Sequence, residues 1–292
     1  MDAALKASYE ECKRLNSLHG KTYYLATLLL PAHKRPYVHA LYGFARYADE
    51  IVDDLASTLS PQEKADALRS WSSGVLADLK AGTSSDHIGR ALVDTVQTFN
   101  IPYQHFVDFL HSMEMDLTVT EYQRYEDLYE YVYGSAAVIG LEMVPILGYS
   151  DDRAFEAAQK LGIAFQLANF IRDVGEDLDR GRVYLPLQEL AEFGVDRATL
   201  ERRTLTPEII AALKFQIDRV RSLQAEAEIG IQYLDKVSRP CIRAASELYC
   251  GIVDEVEAIG YDIFNKRAKT STGRRARVAG AAYIQAILAR VR

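Results

Sequence analysis

The 292-residue sequence predicts an all-α helical bundle, a single domain over residues 1–292, and three observations predict it. Apolar residues recur at helical spacing along most of the chain, turn signals are few, and no alternating strand pattern of useful length competes. Long helices with short connections leave a bundle as the packing solution. With 49% hydrophobic and 26% charged residues the composition is that of a globular protein able to bury a substantial core.

The elements follow in order. Val38, Leu41, Ala45, Ala48 and Val52 keep a three-four spacing that places them on one helix face. Ser60-Pro61-Gln62-Glu63 supplies an N-cap serine, a proline at the first helical position and a glutamate at the third, which together start a helix. Thr206-Pro207-Glu208 starts another, running to about Tyr233. Breaks are expected at residues 80–85, at Asn100-Ile101-Pro102, at residues 148–152 and at Arg239-Pro240.

A net charge of −7 and a pI near 5.5 argue against nucleic acid as a partner. The charge is uneven: no acid follows Asp262, while Lys266, Arg267, Lys269, Arg274, Arg275, Arg277, Arg290 and Arg292 do. That basic segment reads either as a solvated loop and helix start or as a patch for anionic lipid, giving peripheral membrane contact. Cys12, Cys241 and Cys250 lack metal-ligand spacing and read as free thiols in a reducing compartment. With no signal peptide and no uninterrupted apolar run of about 18 residues, a cytoplasmic location is expected, on the inner face of the membrane if it docks. Oligomeric state stays open.

The chemistry concentrates in two Asp-x-x-x-Asp signatures about 120 residues apart, Asp49/Asp53 and Asp173/Asp177. Four residues exceed one helical turn slightly, so each pair sits about 40° apart on one face. Two pairs brought face to face would form an acidic mouth. Like charges so close demand a cation, and hard oxygen ligands select Mg²⁺, which also takes substrate phosphate. Tyr42, Arg46, Asp49 and Asp53 share one stripe, as do Gln166, Asn169, Asp173 and Asp177. Arg172, Arg180 and Arg182 accompany the second stripe and suit phosphate oxygens. His111 and Met115 read as helix packing rather than metal ligands.

These two stretches, together with His19-Gly20-Lys21-Thr22-Tyr23-Tyr24, resemble the phytoene/squalene synthase family of head-to-head prenyl transferases, most closely its bacterial phytoene synthase branch. The resemblance runs from about Leu18 to about Ala289. Its most specific part is Gln166-x-x-Asn169-x-x-Arg172-Asp173-x-x-x-Asp177 followed by Arg180-Gly181-Arg182-x-Tyr184-Leu185-Pro186. It implies an isoprenoid synthase bundle with a central apolar tunnel. It further implies Asp49, Asp53, Asn169, Asp173 and Asp177 as ligands of Mg²⁺, with Mn²⁺ as a substitute. Diphosphate would be bound by His19, Lys21, Thr22, Arg46, Gln166, Arg172, Tyr249 and Arg267. Tyr42 and Gln166 would lie near the reacting carbons, and Tyr131, of Tyr131-Val132-Tyr133, would transfer a proton or stabilise a cation. The chain departs from the family pattern at Ser135-Ala136-Ala137-Val138-Ile139-Gly140 and at Glu50, which stands where a third aspartate is frequent; Glu50 is expected to matter little if it points off the stripe.

The implied reaction condenses two geranylgeranyl diphosphates through prephytoene diphosphate to phytoene, releasing diphosphate and using no NADPH. The alternative is squalene or dehydrosqualene formation from farnesyl diphosphate. A catalytically silent assembly factor of the same family should have lost acids from one motif, whereas this chain keeps Asp49, Asp53, Asp173 and Asp177.

Overall fold

A computed structural model describes residues 2–53 and 59–291, with Asp53, Pro61 and Val291 described by backbone alone. α1 (Ala3–His19) starts where Asp2 accepts a hydrogen bond from the Leu5 amide at 2.7 Å. Gly20 alone separates it from α2 (Lys21–Thr27), and α3 (Arg35–Asp53) packs along α1. α4 (Pro61–Ala81) begins at the expected capping box, in which the Ser60 amide donates to the Glu63 carboxylate at 2.8 Å, and ends at Gly82 with φ +70°. α5 (Gly89–Phe99) ends at Asn100 with φ +51°, and α6 (Tyr103–Met115) follows.

α7 (Tyr125–Val132), a π-helical turn (Tyr133–Ala137) and α8 (Val138–Leu147) form one continuous helix. It is long and apolar enough to cross a membrane, but 61% of its apolar window is buried inside the protein, as befits a core helix. α9 (Arg153–Asp179), 27 residues long, packs against this helix on one side and against α12 (Pro207–Gly230) on another. Two short helices, α10 (Leu187–Ala191) and α11 (Arg197–Glu201), lie between them in sequence. α12 runs into a 3-10 turn at Ile231–Tyr233, so the expected end near Tyr233 holds. α13 (Arg239–Cys250), α14 (Ile252–Ala258) and α15 (Thr272–Val291) complete the bundle. Among the described residues no strand forms, only two isolated bridges.

The apolar periodicity of α3 is realised: Val38, Leu41, Ala48 and Val52 are buried. They join Phe44, Phe106 and Ile146 in one core cluster; Leu167, Ile171, Ile217 and Val220 centre a second on α9 and α12. Tyr133 and Ile242 pack against both clusters and join them. One expected break is corrected: Arg239-Pro240 opens α13, because proline in a first turn forfeits an amide that has no intrahelical acceptor anyway. Cys12, Cys241 and Cys250 are free and buried.

Candidate active site

α9 carries the second motif as a stripe that changes character along its length. Gln166 borders an apolar cavity, Asn169 is half-buried a turn further on, and Asp173 and Asp177 follow toward the helix end. From Gln166 to Asp173 the helix rises about 10 Å. Arg172 grips its neighbour Asp173 with two bonds, Nε to Oδ1 at 2.7 Å and Nη2 to Oδ2. Arg267, from the segment before α15, reaches the same carboxylate at 3.2 Å and Glu176 at 3.0 Å. Asp177 is buried; burial first, and the Asp173 charge second, raise its carboxyl to about 7 against the opposing pull of Arg180 and Arg182.

The first motif is arranged similarly on α3. Arg46 pairs with Asp49 at 2.7 Å and with Glu50 at 3.2 Å, and His19 Nε2 lies 3.8 Å from Glu50. Glu50 thus does not point away from the stripe: its side chain shares Arg46 with Asp49, so the condition under which it was expected to matter little is not met. The Asp53 carboxylate lies outside the described residues. Lys21 is exposed and Thr22 half-buried at the start of α2. Between them and α3, Gly20 makes room for the Tyr42 ring: a Cβ there would stand 2.6 Å from it unless the ring moved. Burial raises the Tyr42 phenol above its ordinary value.

Carboxylates and guanidinium groups thus alternate, and no three His, Cys, Asp or Glu side chains converge on one point among the described residues. The donor set still fits a divalent cation. Asp49, Asn169, Asp173 and Asp177 offer hard oxygens, and the Asp173 charge adds to burial in raising the Asp177 carboxyl, a repulsion that a bound cation would relieve.

Below Gln166 lies a cavity of about 210 Å³ walled by α2, α8, α9, α12 and α13. Ala158, Leu161, Gly162 and Phe165 of α9 and Ile139, Gly140 and Met143 of α8 line it. The two helices meet at backbone distance, for a Cβ on Gly140 would overlap the Ala158 carbonyl and one on Gly162 the Ala136 carbonyl. Ser135, Ala136, Ile139 and Gly140, the segment that departs from the family pattern, line this wall. At the upper end Phe165 stacks on Tyr249 with centroids 4.9 Å apart. The Tyr249 phenol is pushed up to about 12 by burial and then by Tyr42, with Arg172 opposing, so this ring feels both motifs.

Sequence reasoning missed one constellation. The Tyr131 and Tyr184 hydroxyls donate to the two oxygens of Asp116 at 2.7 and 2.8 Å, and Arg182 donates to the Asp116 carbonyl at 2.7 Å. Phe170 lies flat on Tyr184, with centroids 4.1 Å apart and 6° between planes. Burial, reinforced by Asp116, holds the Tyr131 proton far above the usual tyrosine range. The Arg182 guanidinium thus serves this cluster rather than standing open for phosphate. The only sequence signal was a carboxylate at the end of an aromatic helix. His111 is exposed, 3.8 Å from Glu130, and not packed as expected, while Met115 does pack on the core.

The squalene/phytoene synthase family model matches residues 17–274. A 15-cis-phytoene synthase of Synechococcus elongatus is 38% identical over 285 residues, covering 94% of this chain and 91% of its own. A chloroplastic phytoene synthase of Narcissus pseudonarcissus is 38% identical over 291 residues, 97% of this chain and 68% of its own. Among solved structures, a dehydrosqualene synthase superposes with a TM-score of 0.87 at 26% identity, covering 95% of this chain and 96% of its own. A squalene synthase from Alicyclobacillus acidocaldarius gives 0.81 at 26% identity, covering 89% and 97%. The polar stripe above an apolar cavity, in this fold and at these identities, means that the chain belongs to the squalene/phytoene synthase family.

Proposed function

We propose that the chain joins two geranylgeranyl diphosphates head to head, through prephytoene diphosphate, and releases diphosphate to form phytoene. The observation that carries this reading is α9, a single helix with carboxylates paired to guanidinium groups at one end and an apolar cavity wall along the rest. Relatives at 38% identity bear the name phytoene synthase, which favours the twenty-carbon substrate over the fifteen-carbon one.

Asp49, Asp53, Asn169, Asp173 and Asp177 would hold divalent metal, which we assign as Mg²⁺ with Mn²⁺ as a substitute. Bound there, it supplies Lewis-acid stabilisation of charge on the departing diphosphate. Arg46, Arg172 and Arg267, which pair with Asp49 and Asp173, would donate to diphosphate oxygens when those carboxylates hold the metal. His19, Lys21 and Thr22 add donors from the α1–α2 junction. Tyr42 and Gln166 orient the allylic carbons over the cavity, whose apolar walls keep water from the carbocation. Aromatic faces such as Phe165 and Tyr249 stabilise the cation by about 0.5–2 kcal/mol each. The Tyr131 oxygen accepts the final proton as its own passes to Asp116 along the 2.7 Å hydrogen bond.

Incubation of the purified chain with each diphosphate, with and without NADPH, tests the reading. Phytoene from the twenty-carbon substrate without reductant is expected; squalene or dehydrosqualene as the main hydrocarbon would overturn it. Asp173→Asn should abolish turnover with circular dichroism unchanged.

A further inference from the structure

The apolar cavity ends where helices give way to their connections. α8 and α9 run antiparallel, Gly140 against Ala158 and Ala136 against Gly162, so Leu147 and Ala154 lie at the end away from Gln166. Ile231 and Leu234, from the turn after α12, complete that floor. Behind it stands Lys34, buried in the connection between α2 and α3. Its ammonium donates to the Leu147 carbonyl, to Asp235 Oδ2 at 2.9 Å and to Ser238 Oγ at 3.4 Å. Ser238 Oγ donates in turn to the same Leu147 carbonyl at 2.6 Å. The Asp235 amide donates to the Gly148 carbonyl and the Ser150 amide to the Tyr233 carbonyl, each at 2.8 Å. The Asp235 carboxylate lies over Gly148, whose φ is +74°, so closely that a Cβ there would fall 2.0 Å from Oδ2. Three connections, 28–34, 148–152 and 234–238, thus converge on one ammonium. A buried charge has to be surrounded by acceptors, and here the acceptors belong to the end of α8 and the approach to α13.

We propose that Lys34 is a specificity-determining residue, which fixes the cavity floor and so sets the longest prenyl chain the cavity admits. It acts as a positioning residue, through Leu147 and Leu234. Their side chains line the cavity, while the Leu147 carbonyl and the residue after Leu234 are gripped from behind. Leucine, alanine and isoleucine make up this floor, with no aromatic plug among them, so the position of the side chains decides its depth more than their bulk does. A tail one isoprene unit longer has to push Leu147 and Leu234 outward against the Lys34 contacts. A close-packed floor gives little under such pressure while its backbone is pinned. Removing the ammonium takes away the group that joins all three connections and leaves Asp235, whose side chain is 49% exposed, to water.

This role rests on the prenyl diphosphate site proposed above, and a binding measurement separates the two. Calorimetric titration in the presence of Mg²⁺ gives dissociation constants for geranylgeranyl S-thiolodiphosphate and its twenty-five-carbon homologue, both slow to ionise. The parent chain is expected to favour the twenty-carbon analogue. Lys34→Met keeps an unbranched stem and should shift the ratio of the two constants toward the longer chain by at least about tenfold. Asp235→Asn keeps the shape at an exposed position and should shift the ratio the same way by a smaller factor. Circular dichroism and affinity for the twenty-carbon analogue should stay near parental values in both. A ratio unmoved in both variants, or both affinities falling together, overturns the role of Lys34, because loosening of the fold alone would not discriminate between chain lengths. Should Lys34→Met fail to fold, the ratio in Asp235→Asn decides by itself. A parent chain that binds neither analogue overturns the prenyl site, and the role of Lys34 with it.

Discussion

Glu142 sits on α8 fully buried, and neither carboxyl oxygen meets a hydrogen-bond partner among the described residues. Burial raises its pKa well above the ordinary 4.5, so the folded chain keeps a proton that the unfolded chain releases. The resulting stabilisation is complete below the unfolded value and is lost as pH rises toward the folded one. Glu142→Gln keeps the shape and cannot ionise. Its stability advantage over the parent chain should therefore widen between about pH 5 and about pH 8, by at most about 1.4 kcal/mol per pH unit for one proton. Urea denaturation at both pH values measures this, and a pH-independent gap would refute the neutral carboxyl. Asp116 makes a different demand, because it is the acceptor for Tyr131 and Tyr184 together. Asp116→Asn leaves a group unable to take up a proton. Turnover should fall about 10²–10⁴-fold with KM little changed, as for loss of a general base. Steady-state kinetics separate this from a binding defect, which would move KM instead.

At the scale of elements, α8 and α9 cross where Gly140 and Gly162 let backbone meet backbone. Gly140→Ala would press a methyl on the Ala158 carbonyl, and backbone cannot swing aside as a side-chain tip can. An overpacking cost of about 1–3 kcal/mol is expected, read as a lower urea midpoint. An unchanged midpoint would show that the helices slide apart freely. The same crossing shows what was legible beforehand. Helix starts such as Ser60-Pro61 and Thr206-Pro207 could be read because caps are local, satisfied within three residues. The α9 stripe could be read for a similar reason, since spacing on one helix fixes which residues share a face. The π turn at Tyr133–Ala137 could not, because one extra residue per turn leaves no mark in composition. Asp116 was invisible because its partners lie 15 and 68 positions away and only folding brings them together. Arg267 reaches Asp173 across 94 positions, and spacing alone could not have paired them; the family pattern pointed to that arginine.

The molecule as a whole separates two media along α9, with ionic pairs about Asp173 and an apolar cavity from Gln166 down to Ala154. Those twelve positions span about 18 Å of helix, so the depth available to a prenyl tail is set by which side chains of this stripe stay small. Ala154, Ala158 and Gly162 recur at four-residue spacing along that wall, with Gly230 and Ala227 of α12 opposite. Ala158 is midway. A ring placed there would occupy the lower cavity and leave the polar mouth, more than a helical turn above, untouched. Ala158→Phe should therefore shift preference toward the fifteen-carbon diphosphate. Each methylene refused by a filled apolar pocket costs about 1–3 kcal/mol, so the ratio of kcat/KM for the two substrates should move by at least about tenfold. Competition between the two diphosphates in one assay measures that ratio directly. If both rates fell together and the ratio stayed fixed, the ring would have disturbed the mouth or the fold, and the cavity would not be the ruler of chain length.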